Sequence, residues 1–253
     1  MDFGPASGIA SGPHELLRDA GEEQHAMMTT IAALMLPLAL LQSGGATAGS
    51  AAAVAEQRFA GCVAMIDDDA TRAYEEAMAW AAEGQAVGAY RCAAMALIAQ
   101  NRFDEGARRL DSLGGAVNPA ETAMRAELFS QAGNAWLLAH EPARARSSFT
   151  RAISTVASDP AQLPDLLIDR SRAYAMEGDW RKAEEDLSSA LDLRGDDALA
   201  LRLRAAARMR QRAFDLAETD ALAATRLEPD NVDNFLTLGN VRESRRTGTP
   251  VED

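Results

Sequence analysis

The side chains able to do chemistry are few and scattered. His14 and His25 lie in a weakly patterned N-terminal stretch, and His140 sits beside Glu141 between two helical segments. None belongs to a Ser/His/Asp or Cys/His arrangement, and none has metal-ligand spacing. Glu184-Glu185 and Asp67-Asp68-Asp69 read as solvated faces or caps rather than paired catalytic acids. Gly114-Gly115 lacks the preceding strand that a phosphate-binding turn requires. The expectation is a protein that is not an enzyme, with no metal and no cofactor.

Two cysteines remain. Cys62 and Cys92 are not C-x-x-C, and no histidine lies close to either in sequence, so redox-motif and zinc chemistry are weak readings. In an exported chain an even pair forms one disulfide. Closing a loop of this size stabilises by about 3–4 kcal/mol in the chain-entropy account. In a cytosolic chain the same residues are two buried thiols acting as small hydrophobes.

Composition sets what must position these groups. The 253 residues carry 25 Lys+Arg against 38 Asp+Glu, a net charge of −13. There are 54 alanines, and Lys182 is the single lysine beside 24 arginines. Ala, Leu, Arg and Glu favour helix, and few stretches alternate as strands do. An acidic, aromatic-poor chain lacks the clustered positive charge that nucleic-acid phosphates demand. The Arg-over-Lys usage points to a bacterium-like proteome.

The N-terminus bears on compartment. Residues 1–26 are polar and Gly/Pro-rich, and are predicted to be disordered or to precede a true start at Met27 or Met28. Residues 27–48 read as a secretory signal. Ile31 to Leu41 is an uncharged apolar run too short to span a bilayer, and Ala46-Thr47-Ala48 is an A-x-A cleavage pattern. The expected location is periplasmic or secreted, with a mature chain from about Gly49; the alternative is a cytoplasmic protein with a buried first helix.

Internal periodicity is the strongest signal. Gly133, Ser171, Ala205 and Gly239 recur at steps of 38, 34 and 34, and so do Phe129, Leu167, Leu201 and Phe235 four residues earlier. In a second helical segment Ala145, Ala183 and Ala217 keep step, followed four on by Phe149, Leu187 and Ala221. Leu187, Ala190 and Leu191 show the helical i, i+3, i+4 stripe. Pro119, Pro142 and Pro164 suit first helical positions, Asn118 and Asp197 suit N-caps, and Gly178 suits a turn with positive φ.

This pattern resembles the tetratricopeptide repeat (TPR) family. Leu167, Tyr174, Gly178, Trp180, Ala183, Leu187 and Ala190 match its signature, and Pro229 matches the terminal proline one unit later. Gly106 replaces the usual Ala, Arg208 and Arg212 stand where Tyr and Gly are usual, and extra residues surround the unit beginning near Ala126. The resemblance implies an all-α, right-handed superhelical solenoid of about four helix pairs plus a C-terminal capping helix. It covers residues 87–246, after a divergent N-terminal pair or cap over 49–86 and before a flexible tail over 247–253. In such a solenoid the helices carrying Cys62 and Cys92 are neighbours.

The resemblance also implies function: a scaffold or adaptor binding a peptide or protein on a groove lined by the first helix of each pair. The groove positions here are Arg91, Met95, Ser130, Asn134, Leu138, Arg172, Met176, Arg202, Met209 and Arg210. Arg grips carboxylates in a fork and Met adapts to irregular apolar surface, so the expected partner includes an acidic or C-terminal segment. The competing reading pairs these arginines with neighbours such as Asp169 or Glu177. No nucleic-acid partner and no stable membrane span are expected. An unfinished C-terminal unit leaves room for self-association into a homo-oligomer through that end.

Overall fold

The structure, a computed structural model, describes residues 43–84, 86–156 and 161–251. Expectations placed on residues 1–42, the leading segment and the apolar run, lie outside the described residues. Among the described residues there are eleven α-helices and no strand. They run α1 (Ser43–Asp68), α2 (Ala70–Glu83), α3 (Val87–Ala99), α4 (Phe103–Ala116), α5 (Thr122–Leu138) and α6 (Pro142–Thr155). The series continues with α7 (Leu163–Met176), α8 (Trp180–Leu193), α9 (Ala198–Arg210), α10 (Phe214–Leu227) and α11 (Val232–Thr247). Helix α1 from Gly45 onward and helices α2 to α11 belong to one unit, Gly45–Asp253.

From α2 onward each helix packs on the next in the chain, and α5 also meets α7 as α9 meets α11. The array of helix pairs expected from the 34-residue register is therefore what the chain forms. Residues 87–247 hold four pairs and the single α11, after the pair α1/α2. The core is continuous because each cluster borrows from the next pair. Ala107, Trp136, Ala145, Phe149 and Ala173 form one cluster across α4 to α7. Leu167, Leu187, Leu191, Leu201 and Ala224 form another across α7 to α10. About half of the buried apolar residues are alanines. Small side chains let backbones approach, and the few large ones fill what remains.

Glycines mark the tightest crossings. A Cβ at Gly133 would meet the Phe149 ring at 2.5 Å, and one at Gly106 would meet Ile98 at 2.5 Å and the Ala94 carbonyl oxygen at 2.9 Å. The departure from Ala at Gly106 thus has a steric cause: backbone stands where the methyl would go.

Caps follow the acidic punctuation. The carboxylates of Asp69, Asp179 and Asp197 accept the N–H groups of Arg72, Lys182 and Ala200. Pro142 opens α6 and Pro164 lies in the first turn of α7, where a missing N–H costs nothing. Pro119 does not open a helix. Asn118 accepts the Ala120 N–H at 3.0 Å in a turn, and α5 starts only at Thr122. The extra residues before the repeat are absorbed by this turn and by α5, which has 17 residues where α3 and α7 have 13 and 14.

Within four pairs the turn between the two helices places one residue in the left-handed region: Asn101 (φ 61), His140 (φ 57), Gly178 (φ 77) and Arg212 (φ 65). Only Gly178 adopts it without a Cβ penalty. Arg212→Gly is therefore expected to raise stability by about 0.5–1 kcal/mol, and Gly178→Ala to lower it by about 1 kcal/mol. No neighbour obstructs a Cβ at Gly178, so its loss reports backbone strain alone. Urea denaturation of the two variants beside the parent measures both.

Candidate functional site

The odd-numbered helices bring five of the ten groove residues, Met95, Asn134, Leu138, Arg172 and Met176, to two adjoining cavities, each of about 390 Å³; Arg91, Ser130, Arg202, Met209 and Arg210 line neither. The first is lined by Val63 and Ile66 of α1, Met95 and Ile98 of α3, and Gln131, Asn134 and Leu138 of α5. The second is lined by Leu138, by Arg172 and Met176 of α7, by Trp180 and Leu187 of α8, and by Leu203 and Ala206 of α9. Leu138 belongs to both, and its side chain is exposed, as is that of Met176. Helical spacing explains the placement: Asn134 and Leu138 lie one turn apart on α5, as Arg172 and Met176 do on α7.

A polar ridge lies beside the shared leucine. Asn134 Nδ2 donates to Asp169 Oδ2 at 3.2 Å and to the Ser130 carbonyl oxygen at 3.3 Å. Arg172 Nη1 reaches the other Asp169 oxygen at 3.4 Å, and about half of its side chain is exposed. Burial pushes the Asp169 carboxyl up from its ordinary value, against the pull of Asn134 and Arg172. A carboxyl raised on folding stabilises the fold fully below its unfolded pKa, near 3.9, and that contribution is lost as pH rises through the folded value. Asp169→Asn is thus expected to raise the melting temperature at pH 7. The gain should shrink toward zero as pH falls below about 4, read from melts of both proteins across that range.

The remaining positions behave differently. Arg91 is committed: its Nε donates to Gln131 Oε1 at 3.1 Å, a terminal nitrogen pairs with Glu127, and the guanidinium lies over Phe59 at 4.8 Å. Arg202 is only loosely held, 3.8 Å from Asp233, and its Nε is buried without a hydrogen-bond partner. Arg210 lies over Trp180 at 5.4 Å. Met209 corrects the groove assignment. It is 3 % exposed and packs with Ala217 and Val241, because it falls on the face of α9 turned toward α10 and α11. Of the neighbours expected to neutralise groove arginines, Asp169 does meet Arg172, whereas Glu177 is taken by Arg146 at 2.9 Å.

The α1 contribution was missed because the sequence treats that helix as a divergent cap. Val63 and Ile66 stand at i, i+3, the same spacing as Met95 and Ile98, and that match was available as a signal. α1 is held against α3 by the Cys62–Cys92 disulfide, with Cα atoms 6.3 Å apart. Among the described residues no group of three His, Cys, Asp or Glu side chains is placed to hold a metal, and no helix is long and apolar enough to cross a membrane.

No family model matches the chain, and no curated protein matches it. Among solved structures it is similar to the first TPR domain of Spaghetti (RPAP3) bound to an HSP90 peptide: 24% identity over 47% of this chain and 91% of that one, TM-score 0.44. It is also similar to the TPR domain of Arabidopsis OM64, at 22% identity over 47% and 94%, TM-score 0.43. A third is the C-terminal TPR-containing domain of a Plasmodium falciparum FK506-binding protein, at 16% identity over 52% and 95%, TM-score 0.47.

Proposed function

We propose that the protein is a non-enzymatic adaptor that binds an extended peptide segment along the odd-numbered helices. The observation that carries this reading is the pair of adjoining cavities meeting at exposed Leu138. Two apolar cavities in a row suit a chain that places two apolar side chains in succession, with Met95 and Met176 adapting to their shape. The loosely held guanidiniums of Arg172 and Arg202 suit an acidic residue or terminal carboxylate on the same segment. Arg91 drops out of that role because its own neighbours saturate it.

An array of immobilised peptides varied in sequence and terminal charge tests the reading. The parent protein is expected to retain a subset rich in apolar and acidic residues. Leu138→Glu should lose that subset, and Leu193→Glu, on an exposed site of α8 outside both cavities, should keep it. Equal retention by the parent and Leu138→Glu would sink the groove. Retention of the subset after joint Arg172→Glu and Arg202→Glu would remove the carboxylate grip and leave the apolar part standing.

The location we propose is the periplasm or cell envelope of a bacterium, after removal of residues through Ala48. The A-x-A run supports it, and a disulfide between Cys62 and Cys92 suits an oxidising compartment. N-terminal sequencing of protein from its own cells reads the answer: a start near Gly49 supports export, and an intact leading segment on reduced protein supports a cytoplasmic adaptor.

A further inference from the structure

Helix α1 is attached to the array differently from every other helix. Of its residues 51–68 only Cys62 is buried, whereas each helix from α2 to α11 buries at least four. Half-buried Phe59 and Ile66 join the small cluster around Cys62, Ala77, Cys92 and Ala93, and the Phe59 ring lies under the Arg91 guanidinium at 4.8 Å. The remaining ties are light. Arg58 pairs with Glu83 at 2.7 Å and lies over Trp80 at 4.9 Å, and an ion pair as exposed as this one holds little. A single residue, Asp69, separates α1 from α2 and caps the latter, which gives α1 a joint at its C-terminal end. The covalent bond between Cys62 and Cys92 is therefore the main fastening of α1 upon α3.

That fastening builds part of the groove. Val63, Ile66 and Asp67, all close to Cys62 on α1, form one wall of the first cavity, whereas the second cavity draws nothing from α1. The two cysteines are the only ones in the chain, so a thiol reductant has one bond to act on. We infer that the Cys62–Cys92 bond is a redox latch on the peptide groove. Closed, it holds α1 as a wall of the first cavity; opened, it frees α1 and leaves the second cavity to bind alone. This inference rests on the reading of the groove as a peptide site. The reductant is a dithiol. One of its thiolates attacks the sulfur of Cys62, which is 8% exposed where Cys92 is fully covered; the S–S bond breaks, and Cys92 leaves as a thiolate that takes up a proton. The second thiolate of the reductant then displaces Cys62, so two electrons and two protons pass to the protein and the reductant ends as a disulfide. With the bond open, the contacts of Phe59 and Ile66 must by themselves offset the entropy of holding a 26-residue helix in place.

Two readouts on the full chain test the latch, with dithiothreitol as the reductant and a peptide retained on the array as the probe. Amide hydrogen exchange, measured without peptide, is expected to quicken about tenfold or more over residues 59–68 on reduction and to stay unchanged from α5 to α10. Peptide affinity should fall about tenfold on reduction through loss of the apolar wall. The Met95 methyl should then stop responding to peptide while Met176 still responds. The joint variant Cys62→Ala and Cys92→Ala should bind like the reduced parent whether or not dithiothreitol is present, and reoxidation should restore the parent alone. Unchanged exchange over residues 59–68, faster exchange spreading through the whole array, or equal affinity in the two redox states would each overturn the latch. Absence of binding by the oxidised parent would overturn the groove and with it the gating, and exchange over residues 59–68 would still show separately whether the bond fastens α1.

Discussion

Asp220→Ala is expected to cost about 3–5 kcal/mol, among the largest losses of any single substitution in this chain. Asp220 is buried and accepts three hydrogen bonds from two cations. Arg204 grips it in a fork with Nε and Nη2 both at 2.9 Å, and Arg208 Nη1 donates at 2.8 Å. Arg208 in turn donates to Glu184 at 2.7 Å. Removing the carboxylate leaves two guanidiniums, each only about a sixth exposed, facing one another without an anion between them. The same fork occurs 34 residues earlier, where Arg170 holds Asp186 at 2.8 and 2.7 Å. The hydrogen bonds to Asp186 hold the Arg170 guanidinium above its ordinary pKa. In both pairs the spare Nη1 reaches a hydroxyl on the preceding pair, Thr150 at 3.3 Å or Ser188 at 3.2 Å. Joint replacement by Arg204→Met and Asp220→Leu should recover most of the loss, because shape is kept and no buried charge is left alone. Denaturation in urea of the single and double variants measures the coupling. A double variant as unstable as Asp220→Ala would show that the fork itself, not the orphaned charge, holds α9 to α10.

Phe149→Ala is expected to cost about 3–5 kcal/mol through the cavity it opens between α5, α6 and α7. Phe149 is fully buried and its ring fills the space that Gly133 leaves vacant. Gly133→Ala should by itself cost about 1–3 kcal/mol, because the new methyl would stand within 2.7 Å of three ring carbons. In the Phe149→Ala background the same methyl enters open space, so its penalty should vanish or reverse. Additive losses in the four-protein cycle would contradict the direct contact.

These two sites show what could be read from the chain and what could not. The Gly133/Ser171/Ala205 and Ala145/Ala183/Ala217 series are local helical patterns repeated at a near-constant interval, so helix pairs stacked in order follow from residue types alone. The Arg170–Asp186 and Arg204–Asp220 forks also keep the 34-residue step, but charged residues in a helix read as solvent-facing by default. Only the crossing of two helices shows that both partners are inside. Arg208 makes the same point from the other side: as a departure from Tyr it looked like erosion of the repeat, and it is a bridge between Glu184 and Asp220. Met209 went wrong by a small rotation. One residue is about 100° of helix, enough to carry a side chain from the groove into the seam with Val241. Helical register places Met95, Leu138 and Met176 on the faces that line the two cavities, whereas the cavities themselves depend on how adjacent pairs are spaced, which no single helix encodes.

The most direct test of the account follows methyl signals of the methionines while a peptide retained on the array is titrated into the protein. Met95 and Met176 line the two cavities, and Met209 is sealed in the core as an internal reference. The account predicts saturable shifts at Met95 and Met176 with Met209 unmoved. Saturable binding that leaves Met95 and Met176 unshifted would contradict it.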